Sequence, residues 1–417
     1  MKMLEKNFGL KDEFVRGSIV LFIMINIFNF LNYIFHFSMA RMLGAAEYGV
    51  FAVLMSVGYI FGISSEAVSN ITSKYASKFN LKKEYGKIKN FFRKSLRKGL
   101  KISFIIFIVY LPFALLLSIF LDISFWLWML VGLLIFSDLL FAPIVRGILQ
   151  GTKQFVKLGT SMIIESSVKL FLGIILVYFG FKVYGAIGAV LLSVFVSIIL
   201  SLFFLKNIMK GKEEKSETRE IYSYSLPFFI SLISITLMFS LDIIIARRIF
   251  SPEIAGKYAV ASMLGKMIFF GTSPISKVLF PISSEKFEGE KNTRFLLYKA
   301  GSILFLLCFA AIIVFALVPK FIISLLFGAE YVAVSGILVF VGISFSLLAF
   351  TNLVIIYALS KNKSSFSFYL PIFDLIAVIL LFIFSASVLQ YSITFLLSNL
   401  LMLIGTLMLV KNEKPQV

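Results

Sequence analysis

The chain has 417 residues, of which 60% are hydrophobic and only 15% are charged. Soluble domains carry about 25% charged residues and fewer than half apolar residues, so this composition excludes an ordinary water-soluble enzyme and predicts an integral membrane protein. Forty Lys and Arg against 21 Asp and Glu give a formal net charge of +19. In a membrane protein, an excess of Lys and Arg marks the cytoplasmic side and attracts anionic lipid. We therefore expect no nucleic-acid partner.

Twelve apolar stretches are long enough to cross a bilayer, because a spanning helix needs about 20 predominantly apolar residues. These predicted spans, numbered 1 to 12 in chain order, are residues 15–38, 47–70, 102–121, 123–145, 158–179, 183–205, 222–246, 256–280, 298–318, 333–358, 365–387 and 391–410. Their connections are too short for a folded domain, so the predicted fold class is all-α and integral to the membrane.

Positive charge alternates between the two ends of the spans. The two termini and the connections after even-numbered spans hold 31 of the Lys and Arg residues, whereas the connections after odd-numbered spans hold six. Lys and Arg are retained on the cytoplasmic side. We therefore expect a multi-pass protein of the cell membrane with both termini in the cytoplasm.

Two connections on the predicted cytoplasmic side have unusual compositions. The segment Lys74–Lys101 carries eleven cations and one acid, Glu84, and its apolar residues recur at near-helical spacing. This pattern suits a helix on the inner leaflet, for which a solvated loop and recognition of lipid headgroups are alternative interpretations. The connection 206–220 is polar and of mixed charge, as in a linker between two halves.

The two halves of the chain contain a repeated segment. Residues 40–53 (ARMLGAAEYGVFAV) align with residues 246–260 (ARRIFSPEIAGKYAV) with one inserted residue, at offsets of 206 and then 207. Each half holds six predicted spans, so the repeats have the same orientation in the membrane. We predict two pseudo-symmetric six-helix bundles, residues 1–208 and 209–417, which alternate access to a substrate path as a transporter does.

Span 1 carries a polar stripe. Asn26, Asn29, Asn32 and His36 fall within an arc of about 120° on a helix, and we expect them to line the space between the lobes, with interhelical hydrogen bonding as the alternative. His36 aligns with Asp242 through the repeat offset. The two titratable groups suit a gate or an ion site, and a structural hydrogen bond is the other interpretation.

Span 8 contains two lysines. Lys266, Ser273 and Lys277 share one face, since eleven residues are close to three helical turns. Two lysines directed into a cavity attract an anion such as phosphate. For Lys277 the alternative is that its side chain extends toward the cytoplasm.

Acids in other spans complete the candidate polar groups. Glu165 and Lys169 on span 5 are spaced for a mutual ion pair, with substrate contact as the alternative. Asp374 lies 209 residues after Glu165, near the repeat offset, and Glu66 and Asp138 are further intramembrane acids. Charges in spanning helices are costly and are expected to face a cavity or a partner.

The sequence gives no indication of enzyme chemistry. The single histidine, His36, and the single cysteine, Cys308, exclude multi-histidine metal sites, Cys-rich metal sites and an internal disulfide. No P-loop pattern is present. We expect no catalytic residues, no metal and no cofactor.

Five segments resemble one protein family. They are ARMLGAAEYGVFAVLMSV after span 1, RGILQGTKQF after span 4, LDIIIARRIFSPEIAGKYAVASML after span 7, LFPISSEKF after span 8 and LLFGAEYVAVSGIL before span 10. Together they resemble the polysaccharide-type flippases, the O-antigen and oligosaccharide flippases of the superfamily that includes the multidrug and toxin exporters. The resemblance implies a V-shaped pair of six-helix bundles and movement of a polyprenyl-(pyro)phosphate-linked oligosaccharide from the cytoplasmic to the outer leaflet.

The resemblance also implies a cationic cavity for phosphate and sugar. The candidate cavity residues are Lys266, Lys277, Ser273, Asn26, Asn29, Asn32, Arg16 and Lys169. The candidate ion-coupling or gate residues are His36, Asp242, Glu165, Asp374, Glu66 and Asp138. For Arg16, near a cytoplasmic helix end, an ordinary topology signal is the alternative. Expected partners are the lipid-linked oligosaccharide, membrane lipids and H⁺ or Na⁺ as coupling ion, and we expect a monomer.

Two other functions fit parts of the sequence. A cation-coupled multidrug exporter of the same fold is predicted to have a cavity dominated by acids and aromatic residues. A membrane glycan polymerase or ligase normally needs a sizeable outer loop with acids, Arg or His, but the outer connections here are short.

Overall fold

The computed structural model describes residues 13–139, 141–206, 208, 212–215, 226–288 and 293–412. These residues form helices and short connections without any strand. The helices are α1 (Glu13–Leu81), α2 (Tyr85–Leu121), α3 (Phe125–Leu139), α4 (Phe141–Gly151), α5 (Phe155–Leu176), α6 (Lys182–Leu205), α7 (Leu226–Ile249), α8 (Pro252–Glu288), α9 (Arg294–Leu317), α10 (Pro319–Leu326), α11 (Leu338–Leu359), α12 (Leu370–Ile383) and α13 (Val388–Asn412). Short non-α helices occupy Val177–Phe181, Ala329–Ile337 and Ser365–Tyr369.

The helices reproduce the predicted spans. Within the described residues, nine helical segments are long and apolar enough to cross a membrane. Two of them, Ile23–Gly62 and Phe155–Leu205, each include parts of two predicted spans, so the nine account for eleven spans, and α8 covers the remaining one, span 8. The predicted all-α membrane fold is confirmed, and the observed helices agree with a count of about twelve spans.

The chain divides into two compact units. One is built from the described parts of Met1–Leu43 and Phe61–Tyr222, and the other from those of Gly44–Ile60 and Ser223–Val417. Helix α1 therefore contributes to both. The chain enters the second unit at Gly44, where φ 74° and ψ 171° interrupt the helical conformation.

The first unit is held together by close packing of α1 on α4. A Cβ on Gly147 would lie 2.6 Å from the carbonyl oxygen of Ser69 and 2.7 Å from the Cβ of Thr72, so only glycine permits this approach. Phe91 of α2 and Ile148 of α4 join the adjoining buried core. Small residues that allow helix backbones to meet are typical of membrane helix interfaces.

The second unit packs aromatic rings into glycine positions. Gly265 of α8 faces the ring of Phe345 on α11, and Gly342 of α11 faces the ring of Phe315 on α9. The outward faces of both units carry large apolar side chains, as on α2, where Ile105 is 59% exposed and Val109 is 66% exposed. Contiguous exposed apolar surface of this kind is suited to hydrocarbon and would be unfavourable in water.

Candidate functional site

The second unit encloses an ion pair. Asp242 of α7 has no exposed surface and Lys266 of α8 is 2% exposed. The Lys266 Nζ lies 3.5 Å from the Asp242 Oδ1, longer than the usual 2.7–3.2 Å of a hydrogen bond. Buried charges require a partner of opposite charge because their desolvation is costly. Asp242 and Lys266 are each other's partner.

Three hydroxyl groups hold Asp242, two at its carboxylate and one at its backbone carbonyl. Ser262 donates a hydrogen bond of 2.5 Å to Oδ2, and Tyr258 donates one of 3.3 Å to the same oxygen. Tyr391 of α13 donates to the backbone carbonyl of Asp242 at 2.6 Å. Since Tyr258, Ser262 and Lys266 follow one another at intervals of four, they form one row along α8. The row directs three polar groups of α8 at one carboxylate.

Aromatic rings surround the Lys266 ammonium. Its Nζ lies 4.8 Å from the ring centroid of Phe239 and 5.8 Å from that of Phe345. Both distances are within the range of cation–π attraction. One acid and two aromatic rings therefore contact the ammonium group of Lys266, a residue that is almost completely buried.

The other candidate residues of the second unit have different surroundings. Lys277 is exposed, and Ser273 is half-buried and donates to the carbonyl of Phe270 in its own helix at 3.0 Å. Asp374 of α12 is 5% exposed, and neither of its carboxylate oxygens has a hydrogen-bond partner among the described residues. Among the described residues Asp374 has no ion pair. The candidate residues of this unit therefore have three different environments: a buried ion pair for Asp242 and Lys266, an exposed position for Lys277, and a buried position without an ion pair for Asp374.

The first unit contains a second polar group. Arg146 of α4 forms an ion pair with Glu165 of α5, and Lys169, one turn along α5, donates a hydrogen bond to Asn32 of α1. The Lys169 Nζ also lies 5.2 Å from the ring centroid of Phe35. Two cations, one acid and one amide from three helices therefore meet on one face of α5.

The remaining span 1 residues differ in burial. Asn26 and Asn29 are exposed, Asn32 is half-buried and donates to the carbonyl of Phe28 at 2.8 Å, and His36 is 5% exposed. His36 packs edge-on against the Phe35 ring at 5.9 Å. The side chains of Arg16, Glu66 and Asp138 lie outside the described residues.

The candidate site residues predicted from the sequence do not include Arg146, Tyr258, Ser262 or Tyr391. The interval of four between Tyr258, Ser262 and Lys266 was an available signal for α8. No local pattern identifies Tyr391, because its contact with Asp242 depends on how α13 packs. Among the described residues no group of three His, Cys, Asp or Glu side chains is placed to hold a metal ion.

Solved structures with the same fold are membrane transporters. An inward-facing multidrug resistance MATE family transporter of the MOP superfamily is 18% identical, with 93% of this chain and 97% of that chain covered and a TM-score of 0.75. An outward-facing transporter of the same description is 19% identical, with 95% and 94% covered and a TM-score of 0.64. A MOP superfamily transporter from Pyrococcus furiosus Vc1 (DSM3638) is 17% identical, with 95% and 94% covered and a TM-score of 0.52.

The fold therefore defines a multi-pass membrane protein with the architecture of MATE transporters. The family model described as "Polysaccharide biosynthesis protein" matches residues 14–287, and the chain belongs to this family. The resemblance drawn from the five sequence segments is confirmed. No curated protein matches the chain.

Proposed function

We propose that the protein is a flippase that moves a polyprenyl-(pyro)phosphate-linked oligosaccharide from the cytoplasmic to the outer leaflet of the cell membrane. The observation that carries the proposal is membership of the polysaccharide biosynthesis family in a chain with a transporter fold. Sugars and phosphates are too polar to cross hydrocarbon unaided. A lipid-linked precursor that is needed on the other side of the membrane therefore requires such a protein.

The mechanism proposed is alternating access by two six-helix lobes, residues 1–208 and 209–417, in a monomer with both termini in the cytoplasm. The protein carries out no covalent chemistry in this proposal. Its partners are the lipid-linked substrate, membrane lipids and a coupling ion, H⁺ or Na⁺.

Lys169 is the proposed first contact for the phosphate. It is half-buried and donates a hydrogen bond to the Asn32 amide oxygen. The ammonium already makes that hydrogen bond charge-assisted, and a phosphate oxygen in place of the amide oxygen would add the attraction between opposite charges. The exposed Asn26 and Asn29 offer amides to sugar hydroxyls, and Arg16, Ser273 and Lys277 are further proposed contacts.

Lys266 is proposed to bind the phosphate later in the cycle. Because it is 2% exposed and paired with Asp242, an anion can reach it only when that pair opens. A proton or Na⁺ on Asp242 would neutralise the carboxylate and release the ammonium. Asp242 is thereby the proposed coupling residue, and Glu165, Asp374, His36, Glu66 and Asp138 are the other candidates for coupling or gating.

The paired acids favour this proposal over a drug exporter. A site for cationic drugs needs acids that remain available, whereas Glu165 is paired with Arg146 and Asp242 with Lys266.

The test is transport by the full chain in proteoliposomes, with a fluorescent polyprenyl-pyrophosphoryl oligosaccharide as substrate and lectin accessibility as the readout. We expect Lys169→Ala and Lys266→Ala to slow transfer about 10- to 100-fold, which corresponds to about 1.5–3 kcal/mol for a hydrogen bond to a charged group. Lys169→Arg is expected to retain most of the activity. The exposed Lys206→Ala is the matched control.

Imposed H⁺ and Na⁺ gradients form the second arm of the experiment. Transfer that is unchanged when both gradients are collapsed contradicts the coupling role of Asp242. Transport of a cationic dye without any transfer of the oligosaccharide would contradict the flippase itself and support the multidrug exporter.

A further inference from the structure

Helix α2 changes from cationic to apolar along a single exposed row. Residues at intervals of four lie above one another on a helix, and the exposed residues Arg93, Arg97 and Lys101 follow one another in this way. The next two positions in the same row are Ile105, 59% exposed, and Val109, 66% exposed. The opposite face of the cationic part, which includes Ile88, Phe91, Ser95 and Gly99, is buried.

This change locates the edge of the hydrocarbon on α2. A large exposed apolar side chain such as Ile105 belongs in hydrocarbon, whereas an exposed Lys101 does not. One helical interval of four residues rises about 6 Å, so the boundary lies within about 6 Å between Lys101 and Ile105. The headgroup region of one leaflet is about 5–7 Å thick. Lys101 therefore lies within the headgroup region. Arg97, about 6 Å farther along the axis, lies at the outer edge of that region, from which its long side chain reaches the lipid phosphates.

Arg93 lies one further interval from the hydrocarbon and already has an anionic partner within the protein. Its Nη1 lies 2.6 Å from the Glu213 Oε2, and Asn90 donates to the other carboxylate oxygen at 2.7 Å. The backbone N–H of Glu214 also donates to the Gly86 carbonyl at 3.2 Å. The acidic part of the connection after α6 thus binds the outer end of the row, beyond the headgroup depth.

We propose that Arg97 and Lys101 form a binding site for the headgroup phosphate of an anionic phospholipid, in the leaflet that this end of α2 enters. The row provides two cations within reach of the lipid phosphates, held on a helix whose opposite face is fixed in the core. The acyl chains of the same lipid then lie along the exposed apolar row that begins at Ile105. This site is separate from the buried polar groups of the proposed transport path and does not depend on what is transported.

The experiment uses the full chain in nanodiscs of phosphatidylcholine and phosphatidylglycerol, with the lipids retained by the protein counted by native mass spectrometry. An exposed cation near an anionic surface contributes about 1 kcal/mol, or about 5-fold in affinity. Arg97→Gln/Lys101→Gln is therefore expected to lower the preference for phosphatidylglycerol over phosphatidylcholine by about 25-fold. Lys82→Gln/Lys83→Gln removes two exposed cations that precede α2 and lie about 15 Å or more from Arg97 along the axis of that helix. This variant is expected to leave the preference unchanged.

The charge-conserving Arg97→Lys/Lys101→Arg variant is expected to retain the preference, which separates loss of charge from misfolding. Inorganic phosphate at millimolar concentration is expected to compete weakly, because it lacks the chains that contact the apolar row. Unchanged retention of phosphatidylglycerol by Arg97→Gln/Lys101→Gln overturns the proposal. Equal loss in the Lys82→Gln/Lys83→Gln control overturns it as well, since it would indicate a diffuse charge effect.

Discussion

The backbone of Gly49 lies against the backbone of Gly256: a Cβ on Gly49 would be 2.9 Å from the Gly256 Cα and 3.0 Å from its nitrogen. The two glycines are equivalent positions of the sequence repeat, 207 residues apart. One copy of the repeated segment therefore packs directly on the other within the second unit. The contact includes the Ala45 carbonyl, which occupies the space that a Gly256 side chain would need.

Gly256→Ala is expected to destabilise the second unit strongly. The added methyl group would meet the Ala45 backbone, which cannot rotate away as a side chain could, so the cost should reach or exceed the 1–3 kcal/mol typical of overpacking. The measurement is the thermal unfolding midpoint of the purified protein. Gly301→Ala is the control, because no atom lies within 4 Å of its Cβ position. Equal unfolding midpoints for the two variants would show that the helices separate without cost.

The Asp242–Lys266 pair gives a second prediction. Removing one partner of a buried ion pair costs about 3–5 kcal/mol, whereas replacing both by apolar groups is often neutral. Lys266→Met is therefore expected to lower the unfolding midpoint substantially, and Lys266→Met/Asp242→Leu is expected to recover most of the loss.

The same double variant separates stability from transport. It should unfold near the wild-type temperature and yet flip the substrate about 10- to 100-fold more slowly, because the proposed phosphate ligand is absent. The exposed Lys277→Met is the control for stability. A double variant less stable than either single variant would contradict the pairing.

The helices could be predicted from the sequence because the length of an apolar stretch is a local property that the bilayer thickness selects. The partners of the polar groups could not be predicted from the sequence. The spacing of Glu165 and Lys169 places both on one face of α5, but Glu165 pairs with Arg146 and Lys169 with Asn32. Those partners depend on which helices pack opposite α5. Lys266 was identifiable as costly in a membrane, whereas its pairing with Asp242 requires the packing of α7 on α8.

The contact of Glu213 with α2 is expected to depend on pH. The hydrogen bond from Asn90, followed by the interaction with Arg93, lowers the pKa of Glu213. A carboxyl group with a lowered pKa stabilises the folded contact above its unfolded pKa, about 4.3 for glutamate, and this contribution is lost as the pH falls through the lowered value. The connection should therefore remain bound to α2 at neutral pH and detach in acid.

The measurement for this contact is the mobility of a spin label at position 215 in the full chain. We expect high mobility only below about pH 4 in the wild type and at every pH in Glu213→Gln. Glu214→Gln is the matched control, because Glu214 donates to the Gly86 carbonyl through its backbone N–H. Mobility in Glu213→Gln that matches the wild type at neutral pH would show that the carboxylate does not hold the connection.

Gly44 provides the last prediction. Its φ of 74° with ψ of 171° lies in a region that only glycine occupies readily, and the helix resumes at Ala45, whose N–H donates to the Glu330 Oε1 at 3.0 Å. Gly44→Ala is expected to cost about 1–3 kcal/mol through backbone strain, although a Cβ there would have no contact closer than 3.8 Å. Glu330→Ala is expected to cost about 0.5–2 kcal/mol, as the loss of a helix cap does. Thermal unfolding measures both effects, and Gly62→Ala, in a helical position with no atom within 4 Å of its Cβ position, is the control. A Gly44→Ala midpoint equal to that of Gly62→Ala would mean that the chain adopts an unstrained conformation where it enters the second unit.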